Sequence, residues 1–353
     1  MANNLTAVLY KTNDLRLEKR GIPVPKRNEV VLEMACVGIC GSDVHYLTHG
    51  RIGDFVLRQP MVCGHEASGV VYMVGEDVKN LKKGDRVAIE PGVSCRTCRY
   101  CKEGLYNLCP EMAFCATPPY DGNLAQFYLH PADYCFRLPD NVSLEEGALV
   151  EPLSVGVHAC RKAAVQLGSN VLVTGAGPIG IVTLFVAKAM GAKNVIMTDV
   201  QEKRLVLAKK FGADHTVLVK PEENVSETAE KIRSLIGGDP DKTIDCSGFE
   251  SSVRLAMEAT KPGGVVVLVG MGAQEMNVTL TPAIVKEISV LGSFRYANDY
   301  PLALEMIASG KVNVKQLVTD RYKLEETVEA FERAKTGEAL KVMIRCSEKL
   351  ASM

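Results

Sequence analysis

The stretch Val171-Leu-Val-Thr174-Gly175-Ala-Gly177-Pro178-Ile179-Gly180 sets a short β-forming run directly before a glycine-rich turn, and the turn directly before an apolar helix. Ile179, Val182, Val186 and Met190 recur on one helical face, and Gly191 stands where such a helix stops. In this setting each glycine has its own task. The first permits the tight turn, the second lets backbone approach a pyrophosphate, and the third packs the helix on the strand. The pyrophosphate then meets the free N–H groups and positive dipole end of the helix, beside Pro178 and Ile179. Asp199 closes the next strand, 19 positions after Gly180. A carboxylate there accepts from the adenosine ribose hydroxyls and repels a 2′-phosphate, so NAD is expected in preference to NADP. Lys203 and Arg204 lie near enough in sequence to blunt that repulsion.

Outward from this turn, strand and helix alternate from about residue 154 to 292. Strands are predicted at Val195–Thr198, Thr216–Val219, Thr243–Cys246, Val265–Val269 and Ile288–Leu291. Helices are predicted at Lys203–Phe211, Val225–Ile236 and Ser252–Ala259. Such alternation builds a doubly wound parallel sheet, an α/β Rossmann domain. Residues 5–150 read differently. Leu5–Tyr10, Val30–Val37, Gly69–Val74 and Arg86–Glu90 are β-rich runs separated by turn residues, which predicts a β-rich domain. After residue 292 the elements are mixed, with a helix at Leu302–Ser309, and this tail is expected to return to the first domain. The expected domains are thus 1–153 with 293–353, and 154–292.

The 353 residues carry 41 basic and 42 acidic side chains, a formal charge of −1, and no basic patch that would serve a nucleic acid. No apolar run reaches the ~18–20 residues of a membrane span, and the first residues lack a secretion signal, so a cytoplasmic protein is expected. In that compartment twelve cysteines point to metal or catalysis rather than to disulfides. Cys95, Cys98, Cys101 and Cys109, within a lobe of about 92–112, suit a closed tetrahedral zinc site. Arg96, Arg99 and Lys102 are interleaved and would offset its negative charge. An iron–sulfur cluster is the alternative, since Cys109-Pro110 resembles the end of a ferredoxin motif, although the spacing is longer. Cys40, His65, Glu66 and Glu151 are scattered, but together they supply the mixed ligands of a catalytic zinc with an open position.

Gly64-His65-Glu66-Ala-Ser-Gly69, with Gly75 and Val78, resembles the signature of zinc-containing medium-chain alcohol dehydrogenases. The four-cysteine lobe and the later glycine turn match that family in order. Cys40-Gly-Ser42-Asp-Val-His45-Tyr46, Phe114-Cys-Ala-Thr117-Pro-Pro, Glu151-Pro-Leu-Ser and Phe294-Arg295-Tyr296 resemble its polyol-oxidising branch. The resemblance implies a GroES-like β-rich catalytic domain enclosing the Rossmann domain, two Zn²⁺ per chain, NAD, and a homotetramer. It implies reversible oxidation of a sugar alcohol such as sorbitol or xylitol to its 2-ketose, with no nucleic-acid or membrane partner. Cys40, His65 and Glu66 would ligate the catalytic zinc. Glu151 would hold the water or act as base, since a further anionic ligand would weaken the Lewis acid, although which glutamate touches zinc at each step stays open. Ser42 and His45 would pass the proton outward. Tyr46, Phe114, Thr117, Arg295 and Tyr296 would meet the substrate. Val269, Gly270, Met271, Ser293, Phe294 and Arg295 would complete the cofactor contacts. Rival readings are a threonine or simple-alcohol dehydrogenase, and a non-catalytic relative that kept the fold.

Overall fold

A computed structural model describes residues 4–220 and 223–351. The chain divides into two compact units, Met1–Glu151 with Tyr300–Met353, and Pro152–Asp299.

The first unit is built on the strand Glu29–Ile39, whose residues are nearly all buried. A run this apolar, without clean alternation, is what a central strand covered on both faces requires. It pairs antiparallel with Glu66–Val74, with Phe127–Pro131 and with Lys341–Arg345. The sheet continues through Arg86–Ile89 to Cys135–Arg137 on one side and through Val318–Lys323 on the other. A smaller sheet joins Asn4–Lys11 to Asp14–Arg20 and Met61–Val62. Leu9, Leu32, Met34, Ile89 and Leu124 fill the interior. Asp14–Arg20, rich in charge, escapes sequence reading because it is an edge strand that packs little. The helix Gly41–His49 was also hidden, since Gly-Ser-Asp reads as loop. It starts because the Asp43 carboxylate accepts the Cys40 N–H at 3.0 Å.

The second unit has a six-stranded parallel sheet in the order 215–218, 194–199, 170–174, 242–245, 265–268, 289–292. Numbered by sequence this is 3-2-1-4-5-6, so the order reverses beside the central strand and a crevice opens at the carboxyl ends there. The helix Val225–Ile236 matches the prediction, and the other elements shift by one or two residues. Residues 293–299, expected with the returning tail, belong instead to this unit. Ser293 N–H donates to the Leu268 carbonyl at 2.8 Å, and the buried Asp299 carboxylate binds His158 Nδ1 at 2.8 Å and Arg161 at 2.5 Å.

A buried chain of hydrogen bonds runs through the first unit. His130 Nε2 lies 2.9 Å from the Glu90 carbonyl, which can only accept, so Nε2 carries the proton. Nδ1 must then accept from the Tyr128 hydroxyl at 3.2 Å, and Tyr128 in turn accepts from the Cys115 thiol at 3.0 Å. Burial pushes the His130 pKa down to about 4 from 6.5. The folded protein therefore keeps His130 neutral while the unfolded chain takes up a proton below pH 6.5. Stability is full above that pH and declines as pH falls towards 4, by about 3 kcal/mol in all. In His130→Gln the slope of unfolding free energy between pH 4.5 and 6.5, from urea melts, should fall by about 1.4 kcal/mol per pH unit. An equal slope in both proteins would remove His130 from the acid sensitivity.

Candidate metal centre and nucleotide site

Among the described residues two clusters have metal-binding geometry. In the first, the sulfurs of Cys95, Cys98, Cys101 and Cys109 lie within 4.8 Å of one another. A tetrahedron with ~2.3 Å zinc–sulfur bonds has edges of about 3.8 Å. The observed Cys95–Cys101 and Cys98–Cys101 separations are 3.9 and 3.5 Å. The four thiols therefore fit one zinc ion with no position left open. Neutralisation departs from the sequence expectation. Arg96 is engaged with Asp133 at 2.9 and 3.0 Å and Arg99 with Glu103 at 2.7 Å, because free carboxylates compete for both. Backbone donors act on the sulfurs instead. Those of Thr97 and Cys98 bring the Cys95 thiol down to about 6, and Cys95 N–H reaches Cys109 Sγ at 3.4 Å.

In the second cluster, Cys40, His65 and Glu66 converge, with His65 and Glu66 buried. Cys40 follows the central strand as the N-cap of the helix, and Glu66 opens the neighbouring strand, opposite Gly38. His65 Nδ1 is shielded from solvent without a hydrogen bond, 3.6 Å from Asp43 Oδ1. The Asp43 carboxylate is fixed by the N–H groups of Cys40 and Gly64 at 3.0 and 3.2 Å. Burial would raise its pKa, but His65 and these donors hold it below the usual carboxylate range. Burial likewise disfavours charge on His65, and Asp43 and Cys40 more than offset it. One thiolate, one imidazole turned towards a carboxylate and one carboxylate fit a zinc ion that keeps an open position. Glu151 stands outside this ligand set, buried in the first turn of the helix Val150–Lys162.

Phe114 lies beside the cluster, its ring 5.8 Å from that of His65. Thr117 follows on the same loop, its N–H bonded to the Phe114 carbonyl at 3.1 Å. Tyr46 is packed into the core of the unit at 3% exposure. His45 is exposed and stacks on His49 at 4.4 Å, and partial burial together with His49 lowers its pKa. Ser42 is half-buried in the same helix.

Sequence reading missed a buried lysine. Lys341 opens the last strand, and its Nζ lies 2.6 Å from each oxygen of Glu66. Burial would lower its pKa, but Glu66, Cys40 and Glu151 together raise it. The signal in sequence was a lone lysine at the head of an apolar run, Lys341-Val-Met-Ile. A charge there needs a buried partner.

In the second unit the three glycines of the turn each have a distinct setting. Gly175 has φ +94°, a Cβ on Gly177 would meet nothing within 4 Å, and a Cβ on Gly180 would collide with the Gly175 carbonyl. The helix Pro178–Ala189 follows, with Gly177 as its N-cap. Asp199 Oδ2 accepts from Ala176 N–H and Oδ1 from Gln201 N–H, both at 2.8 Å, so the acid is locked to the turn, and Arg204 comes within 3.8 Å. Asp199, Gly175, Val219 and Phe249 line a cavity of about 380 Å³. Asp245, also missed, fastens the neighbouring strand ends by accepting from Thr174 Oγ1, Ser247 Oγ and Gly248 N–H at 2.7–3.0 Å. Val269, Gly270 and Met271 leave the next strand, and the first two donate to the Asp245 carbonyl at 2.9 Å. Ser293 Oγ is buried without a hydrogen-bond partner among the described residues, a group a cofactor would satisfy. Arg295 sits at φ +53°, its guanidinium 4.6 Å over the Phe294 ring, and Tyr296 is buried.

Residues 26–140 match the alcohol dehydrogenase GroES-like domain and residues 178–309 the zinc-binding dehydrogenase domain, so the chain belongs to the zinc-binding alcohol dehydrogenase family and is an oxidoreductase. Within that family it is 57% identical over 343 residues to sorbitol dehydrogenase of Mus musculus, covering 97% of this chain and 96% of the relative. It is 55% identical to sorbitol dehydrogenase of Homo sapiens, covering 98% and 96%. The structure of L-idonate 5-dehydrogenase from Escherichia coli superposes with a TM-score of 0.90 at 30% identity, covering 98% of each chain.

Two substitutions separate the clusters. Cys40→Ser should remove one zinc by elemental analysis and abolish activity while leaving Tm nearly unchanged. Cys98→Ser should also lose one zinc but lower Tm by more than about 4 °C, since ~1 kcal/mol corresponds to about 2–4 °C in a unit of this size. Equal Tm in both variants would contradict the division into an open and a closed site.

Proposed function

We propose that this protein oxidises a sugar alcohol, with sorbitol as first candidate, to its 2-ketose and passes the hydride reversibly to NAD⁺. The reading is carried by the convergence of Cys40, His65 and Glu66, with Glu151 buried in the same unit, in a chain similar over its length to sorbitol dehydrogenases. When bound, zinc supplies a Lewis acid to the substrate hydroxyl and the nicotinamide supplies the hydride acceptor. Cys40, His65 and Glu66 hold the metal, and Cys95, Cys98, Cys101 and Cys109 hold a second, structural one. Glu151 receives the hydroxyl proton or orients the water that carries it. Ser42 Oγ and then the His45 ring conduct it outward, and the lowered pKa of His45 favours passing the proton on to solvent.

Arg295 and Tyr296 donate to the other hydroxyls of the polyol, with Phe114, Thr117 and Tyr46 shaping the wall. A substrate without those hydroxyls forgoes these hydrogen bonds and is bound less well. Gly175, Gly177, Pro178, Ile179 and Gly180 cradle the pyrophosphate. Asp199 and Arg204 face the ribose, and Val269, Gly270, Met271, Ser293 and Phe294 meet the nicotinamide half. Following NADH absorbance with sorbitol and NAD⁺ should show turnover that a chelator stops, and NADP⁺ should support at least about tenfold less, the scale of one repulsive charge. No reduction of NAD⁺ with sorbitol, xylitol or related polyols would overturn the assignment.

The proposed setting is the cytoplasm, and the proposed assembly a homotetramer. The strand Ser289–Gly292 is an open edge of the parallel sheet, with Val290 41% exposed. Leu280, Ile284 and Val285 precede it at 59–73% exposure. An apolar surface beside an unpaired edge is what a second copy of the chain would cover. Light scattering should return about four times the chain mass of 38.3 kDa, and a monomer mass would refute the assembly.

A further inference from the structure

The central strand Glu29–Ile39 has the strand of Glu66 on one side and that of Lys341 on the other. Glu66 is in register with Gly38, and Met343 of the last strand lies opposite the same glycine. The two charged side chains therefore approach each other across a position that has no side chain of its own. A Cβ on Gly38 would collide with Glu66 Oε2, so only glycine leaves the carboxylate where it is. Lys341 Nζ spans both oxygens of Glu66 at 2.6 Å and also lies 3.3 Å from the Ile39 carbonyl. The lysine and glutamate side chains are 3% and 1% exposed, so neither has water as an alternative partner.

A carboxylate held at both oxygens by an ammonium has less electron density to give a metal. The same ammonium repels a dication drawn to Glu66 and makes up the charge. It brings the sum for zinc, one thiolate and two carboxylates to zero, so Glu151 can stay anionic without the site carrying net negative charge.

We propose that Lys341 is a positioning residue that competes with the catalytic zinc for Glu66, keeping that glutamate a weak and displaceable ligand and the metal a strong Lewis acid. This rests on the zinc assignment above. With the competitor gone, Glu66 engages the metal fully and the repulsion vanishes, so the ion is held more tightly while turnover drops. A merely structural lysine predicts the reverse, because a stranded carboxylate would loosen the site.

The test is the rate at which dipicolinate removes zinc from the purified holoenzyme, followed by metal analysis, taking the phase that is absent in Cys40→Ser. Lys341→Met and Lys341→Gln should each slow that phase by about tenfold, the scale on which outer contacts alter metal affinity, and lower kcat. Lys341→Arg should restore both towards wild type. In the cobalt-substituted enzymes the visible absorption band should shift in the neutral variants and return in the arginine one. An unchanged or faster phase in a variant with wild-type circular dichroism would overturn the proposal, and if Met does not fold, Gln and Arg decide it. Wild-type protein that shows no phase lost in Cys40→Ser would instead overturn the zinc assignment itself.

Discussion

A lysine and a glutamate, both withdrawn from water, meet across a glycine in the middle of the catalytic sheet, and much of the first unit is arranged so that they can. Either charge alone in that interior would cost several kcal/mol, and the pair is tolerable only because the ammonium reaches both oxygens and a backbone carbonyl. The pairing demands that the strand Lys341–Arg345 dock on Glu29–Ile39 in one register, since a slip of one residue would turn the lysine to the opposite face. The same register sets Cys40 at the strand end, where Asp43 caps the helix and faces His65. A network chiefly about charge thereby fixes where Cys40, His65 and Glu66 stand.

The second unit solves a related problem with carboxylates that accept rather than pair. Asp199 is tied to the glycine turn by two backbone N–H groups, and Asp245 gathers donors from the two strands beside it. Each turns the frayed end of a parallel strand into a fixed platform, and the reversal of strand order puts both platforms at one crevice. Glycine is required at 175 for two reasons, its positive φ and the pressure a side chain there would put on Ser247, in the turn that Asp245 holds.

What could be read beforehand follows from sequence distance. The glycine turn with its acid and the four cysteines carry their chemistry in compact stretches, so residue type and spacing sufficed. The strand–helix alternation was legible because parallel strands are uniformly apolar. Cys40 could be joined to the adjacent His65 and Glu66 only by resemblance, since a long stretch of chain separates it from them. Lys341 could not, because it meets Glu66 from 275 residues away and lysine in a strand is ordinarily a solvated side chain. Arg96 and Arg99 misled for the opposite reason. Their proximity to the cysteines in sequence said nothing about the carboxylates that compete for them in space. The edge strand Asp14–Arg20 and the helix Gly41–His49 went unseen because each owes its form to a neighbour or a cap more than to its own periodicity.

The division of the first unit into two chain segments has a consequence for biosynthesis. The cysteine lobe spans positions 95–109, so its loop closes cheaply and its metal site can form while the rest of the chain is still being made. The parallel sheet lies in one continuous segment and can condense once residue 299 has emerged. Cys40, His65 and Glu66 are all made by residue 66, yet the buried cation that pairs with Glu66 arrives only with residue 341. Until Lys341–Arg345 pairs with Glu29–Ile39, an anionic pocket waits open to any divalent ion.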